Sequence, residues 1–150
     1  MNQETPPSNA AWTLLFFGWI TAMVATLGSL FFSEAMHFPP CVMCWYQRIC
    51  MYPLTFILGV ALFSTDRSVV KYAMPLILCG LFFAIYHNLL YYGILPEAAQ
   101  PCSQGVSCTS DYINWFGFIT IQLLSLVAFV LVFCFIYFFH KKACSCKNND

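Results

Sequence analysis

The chain has 150 residues and a net charge of zero, with 8% of residues charged and 61% hydrophobic. A water-soluble domain normally carries about a quarter of its residues charged, so a globular aqueous surface is excluded. The six Lys and Arg residues form no stripe able to neutralise phosphates, which argues against nucleic acid as a partner.

Four segments are apolar over the roughly 20 residues needed to cross a bilayer. The first, residues 11–33, carries no charge; it is long for a signal peptide, and no Lys or Arg precedes it. The second, residues 41–65, contains Arg48 as its only charge. The third, residues 72–96, is interrupted by the polar pair His87 and Asn88. The fourth, residues 113–139, is uncharged and rich in Phe, Leu and Val. Gly28, Pro53 and Pro75 are tolerable inside membrane helices, where neighbouring groups re-satisfy the backbone. The pattern predicts an all-α fold, an integral membrane four-helix bundle forming a single domain over residues 1–150.

Basic residues orient the bundle. Arg67 and Lys71 lie between helices two and three, and Lys141, Lys142 and Lys147 follow helix four. The other two connections, residues 34–40 and 97–112, hold Glu34, Glu97, Asp111 and His37 but no Lys or Arg. Cytoplasmic loops carry the excess of Lys and Arg, so both termini are expected in the cytoplasm and the two connections outside.

Nine cysteines are distributed unevenly over this topology. Cys41 and Cys44, in "CVMC", fall at the outer end of helix two, and Cys102 and Cys108, in "PCSQGVSC", in the longer outer loop. Both pairs therefore meet the compartment where disulfides persist. Cys50, Cys79 and Cys134 fall within helices, where a thiol packs as a small apolar group. Cys144 and Cys146, in the tail "KKACSCK", are expected to be reduced, with acylation or a soft metal as other uses.

Pro39 and Pro40 suit a helix start. A helix beginning there puts Cys41 near its positive end, which favours thiolate over thiol. Cys41 and Cys44 then share one face at disulfide distance, and Arg48 continues that face one turn deeper. Arg48 could snorkel to the headgroups, or form part of a functional site, the usual role of a charge within the membrane. It lies about 24 Å from the inner end of its helix, and His87 about 22 Å from the inner end of helix three. The matching depth suggests a shared polar site, against the alternative of an ordinary hydrogen-bonded core histidine. The loop pair is compatible with a structural staple, or with thiol–disulfide exchange with the first pair. A four-thiolate metal site is disfavoured because thiols outside the cytoplasm oxidise, so no metal is expected.

"CVMCWYQR" at the head of the second of four helices, followed by an outer cysteine pair, resembles the DsbB/BdbC disulfide bond formation family. The resemblance covers nearly the whole chain. The five residues between Cys102 and Cys108 are closer to the BdbC branch. The resemblance implies a multi-pass protein of the bacterial cytoplasmic membrane, its redox cysteines facing the periplasm or cell exterior. It implies disulfides Cys41–Cys44 and Cys102–Cys108, with a DsbA-like thioredoxin-fold thiol oxidase as partner, attacking at Cys102. Cys108 would exchange with Cys41, and Cys44 would face a membrane quinone (ubiquinone or menaquinone), with Arg48 and His87 beside it. The short loop leaves Cys108 little slack to reach Cys41. Two other readings are a quinone reductase of the vitamin K epoxide reductase type and a non-enzymatic scaffold braced by disulfides. The first places its active C-x-x-C late in the bundle, whereas helix four here holds only Cys134.

Overall fold

The computed structural model describes residues 9–37, 40–64, 68–94 and 120–145, with side chains to residue 142. Helix α1 spans Asn9–Leu30 and runs on into a π-helical turn, Phe31–Ala35. Helices α2, α3 and α4 span Val42–Ser64, Val69–Tyr91 and Ile121–Ser145. Each packs against its neighbour in sequence, and α4 closes the ring against α1. All four are long and apolar enough to cross a membrane.

Leu15, Leu54, Leu58, Ile77, Phe129, Ile136 and Phe139 fill the centre, while Val24, Leu27, Phe56, Phe63 and Phe82 point outward. An outer surface this apolar suits lipid. Lipid tails are as apolar as leucine, so helix association rests on close packing and interhelical hydrogen bonds. Small residues supply the first: Gly18 faces Phe135, Gly59 faces the Trp19 indole and Gly80 faces the Phe129 ring. Thr26 and Thr55 supply the second by joining α1 to α2 at 3.0 Å. The Asn88 amide does the same between α3 and α4, donating to the Gln122 carbonyl at 3.0 Å.

A β-carbon at Gly80 would overlap the Phe129 ring, which is only 1% exposed and has nowhere to retreat. Gly80→Ala is therefore expected to destabilise the bundle by about 1–3 kcal/mol, the usual cost of overpacking. Thermal unfolding in detergent measures this, and the double variant with Phe129→Leu should recover part of the loss.

Three helix boundaries depart from the hydropathy pattern. Helix three begins at Val69 rather than residue 72, because Lys71 ends the apolar run but remains in the helix with its side chain exposed. It ends at Tyr91 rather than residue 96. Gly93 takes φ +67°, and Ile94 N–H reaches the Leu89 carbonyl while Gly93 N–H reaches that of Leu90. This is the Schellman closure for which glycine is suited. Helix four continues past residue 139 to Ser145, with His140, Lys141 and Lys142 at its negative end; residues 113–119 lie outside the described residues. Of the helix cysteines, Cys50 is buried in the core as a small apolar group, whereas Cys79 is exposed on the outer side of α3.

Candidate functional site

The first residue of the motif caps α2 instead of starting it. The Cys41 carbonyl accepts the Trp45 N–H at 3.2 Å, and its Sγ accepts the Cys44 N–H at 3.4 Å. Sulfur here takes the place of the oxygen that usually accepts from the third helical residue. This puts Cys41 at the positive end of the helix dipole, where negative charge is favoured. Both cysteines are free thiols, Cys41 buried and Cys44 half-buried. Their sulfurs lie 2.9 Å apart, in hydrogen-bonding contact.

Helix α3 brings His87 to this pair. The ring is 1% exposed, and its Nε2 lies 3.8 Å from Cys41 Sγ. On its other side Gln47 Nε2 lies 3.2 Å from Nδ1 and 3.5 Å from the Phe83 carbonyl. An amide N–H donating to Nδ1 makes that nitrogen the acceptor, so the neutral ring carries its proton on Nε2, towards Cys41. The Tyr46 ring, stacked on Phe83 at 5.1 Å, pins α2 to α3 beside the site. Cys41 precedes the membrane-spanning part of α2. Its thiol is held well below the ordinary range, first by the hydrogen bond from Cys44 and then by His87, with burial opposing both.

Arg48 turns the other way. Its Nε donates to Ser29 Oγ at 2.7 Å and its Nη2 to the Ser29 carbonyl at 2.9 Å. Its guanidinium lies over the Trp45 ring at 5.5 Å. Ser29 sits two residues before the π turn, in which Met36 N–H bonds to the Phe31 carbonyl at 3.3 Å. Such turns are frequent at functional sites. His37, just beyond it, takes φ 54°, and the helix ends.

The structure therefore assembles Cys41, Cys44 and His87 into one cluster, with ligand atoms all within 4.8 Å of one another. Arg48 is anchored to α1 and His87 is joined to the dithiol. The shared polar site expected from their depth is resolved into two flanks of α2. Cys102, Cys108 and Cys146 lie outside the described residues, as does the Cys144 side chain. Sequence reasoning assigned no role to Gln47 or Ser29. A glutamine inside an apolar membrane helix was the available signal, since such a group needs a partner there, and the structure leaves it only 7% exposed. Ser29 carried no comparable signal.

A dithiol at a helix N-terminus, its buried sulfur facing an imidazole, is equipped for thiol–disulfide exchange. Fold and site together define a four-helix membrane protein built around a redox-competent thiol pair. The chain belongs to the DsbB family: the family described as "Disulfide bond formation protein DsbB" matches residues 8–139. It is 50% identical over 121 residues to "Disulfide bond formation protein C" of Bacillus subtilis (strain 168), covering 81% of this chain and 88% of that one. It is 42% identical over 127 residues to a "Probable disulfide formation protein" of Metapseudomonas resinovorans, covering 84% and 88%. A "Probable disulfide formation protein" of Coxiella burnetii (strain CbuK_Q154) is 46% identical over 121 residues, covering 79% and 81%. No solved structure matches it. Membership makes thiol oxidoreduction in disulfide formation its chemistry.

Proposed function

We propose that this protein reoxidises a DsbA-like thioredoxin-fold thiol oxidase and passes the electron pair through two cysteine pairs to a membrane quinone. The observation that carries the reading is the Cys41–Cys44 thiol pair, 2.9 Å apart with His87 against Cys41. The reduced partner's thiolate attacks Cys102 of a Cys102–Cys108 disulfide, forming a mixed disulfide and releasing Cys108. The partner's second thiol resolves it, leaving Cys102 and Cys108 reduced and the partner oxidised. Cys108 then attacks Cys41 of the Cys41–Cys44 disulfide, releasing Cys44, and Cys102 completes the exchange. The second pair ends oxidised and the first reduced. His87 Nε2–H supports negative charge on Cys41 whenever that sulfur is released, and Gln47 holds the ring in the tautomer this requires.

The residues near Cys44 fit a quinone by their chemistry. Arg48 has Nε and Nη2 on Ser29, and its third nitrogen is a further donor suited to a carbonyl oxygen. Trp45 and Ile49, 52% and 61% exposed, offer flat and aliphatic surface on the lipid side. A bound quinone accepts two electrons and two protons. In this reading Arg48 orients it and favours negative charge near Cys44. The positive-inside pattern supports a cytoplasmic membrane location with the cysteine pairs outside.

Arg48→Ala is expected to raise the KM for quinone about 10- to 100-fold, the worth of a charge-assisted hydrogen bond, with a smaller change in kcat. Steady-state kinetics against quinone concentration measures it. The partner step is tested by mixing Cys108→Ser protein, its Cys41–Cys44 pair oxidised, with a partner lacking its resolving cysteine. Because that variant has no Cys102–Cys108 disulfide, the partner is supplied preactivated as a mixed disulfide with a small aromatic thiol. A protein–protein disulfide at Cys102 is the expected product, and none forming with the partner shown to bind would overturn the reading.

A further inference from the structure

Three metal-ligating atoms meet at the head of α2: the two sulfurs and a ring nitrogen of His87. Ligands around a tetrahedral zinc-sized ion stand about 3.5–3.8 Å apart, from Zn–S near 2.3 Å and Zn–N near 2.0–2.1 Å. The separation of Cys41 Sγ from His87 Nε2 is already 3.8 Å. The sulfurs, 2.9 Å apart, need to part by about 1 Å, a small side-chain rotation at ligand lengths of this kind. Metal-bound histidines have their second nitrogen held by another group, and Gln47 occupies that position on His87 Nδ1. A carboxamide serves either tautomer. Its NH₂ donates to Nδ1 in the metal-free centre, and its Oε1 accepts from Nδ1–H once Nε2 binds a metal.

We propose that the reduced centre binds one thiophilic divalent cation of the zinc and cadmium class through Cys41, Cys44 and His87, leaving one coordination position open. Binding forms two metal–thiolate bonds and one metal–imidazole bond. It releases the thiol protons to solvent and moves no electrons. A Cys41–Cys44 disulfide has no thiolates to offer, so the cation selects the reduced protein and withdraws the pair from exchange. This makes such a cation a reversible inhibitor acting on one redox state. The inference requires neither a quinone nor a partner protein.

The test titrates Cd²⁺ into full-length protein in detergent, reduced and anaerobic, reading the thiolate–cadmium charge-transfer absorbance and bound metal after dialysis. The variant with Cys102, Cys108, Cys144 and Cys146 all replaced by Ser should bind one equivalent when reduced, and none once its Cys41–Cys44 pair is oxidised to the disulfide. Adding Cys41→Ser to that variant should abolish the equivalent, which separates this site from the Cys50 and Cys79 thiols. Gln47→Leu should weaken binding about 10-fold, within the usual effect of losing such a support. Gln47→Glu should retain it, because a carboxylate accepts from Nδ1–H. His87→Ala should weaken it by more than Gln47→Leu does, with helix content checked by circular dichroism. Undiminished affinity in both His87→Ala and Gln47→Leu overturns the proposal. So does loss of the equivalent in the four-serine variant, which would point to a four-thiolate site instead.

Discussion

Cys44→Ser protein is expected to oxidise no more than one equivalent of a reduced thioredoxin-fold partner and then stop, however much quinone is present. The reason lies in the geometry of the pair. Cys41 and Cys44 are three residues apart across an N-cap, with sulfurs in contact, so their disulfide forms without rearranging the helix. Serine in place of Cys44 keeps a hydrogen-bond donor beside Cys41 but removes the sulfur that must carry half of the disulfide. The loop pair can still discharge its own oxidising equivalent once. Partner thiols titrated with time should show a single-equivalent burst and then the uncatalysed background. Multiple turnovers in this variant would mean that the electrons leave by another route.

His87→Phe is expected to move the pH dependence of Cys41 alkylation upward. In the wild type the Cys41 thiol lies well below the ordinary range, held by Cys44 and then His87. Its reactivity should therefore persist below neutral pH and be lost only in acid, as the thiolate is protonated. Removing the imidazole removes one of the two supports while leaving burial, which opposes ionisation. A hydrogen bond to a charged group is worth about 1.5–3 kcal/mol, so the inflection should rise by about 1–2 pH units. Iodoacetamide labelling across pH, with Cys41 identified by peptide mass, measures this. Gln47→Leu should shift it in the same direction but less, because it disturbs only the tautomer. An unchanged inflection in His87→Phe would remove the histidine from the thiol chemistry.

Much of the architecture was legible because lipid imposes simple rules. Long uncharged runs marked four helices, and the spacing of Cys41 and Cys44 put both thiols at one helix end. Depth along a helix could also be counted, so Arg48 and His87 were recognisable as near neighbours in level. Their azimuth could not be counted. α1 and α3 are apolar on nearly every side, so no polar stripe marks which face turns inward. The Ser29 contact and the Gln47–His87–Cys41 chain both depend on that rotation. The π turn in "FFSEA" contains neither Pro nor Gly, and nothing in its composition distinguishes it from α-helix. The end of α3 was set by one glycine at positive φ inside a run that still read as apolar.

Anaerobic stoichiometry tests the proposed electron path most directly. Purified protein, quinone and excess reduced thioredoxin-fold partner are mixed without oxygen, and quinone absorbance is followed alongside partner thiols. One quinone reduced for each partner disulfide formed, over many turnovers and absent in Cys41→Ser, is the predicted result. Partner oxidation with no loss of quinone absorbance, or turnover that survives Cys41→Ser, would contradict it.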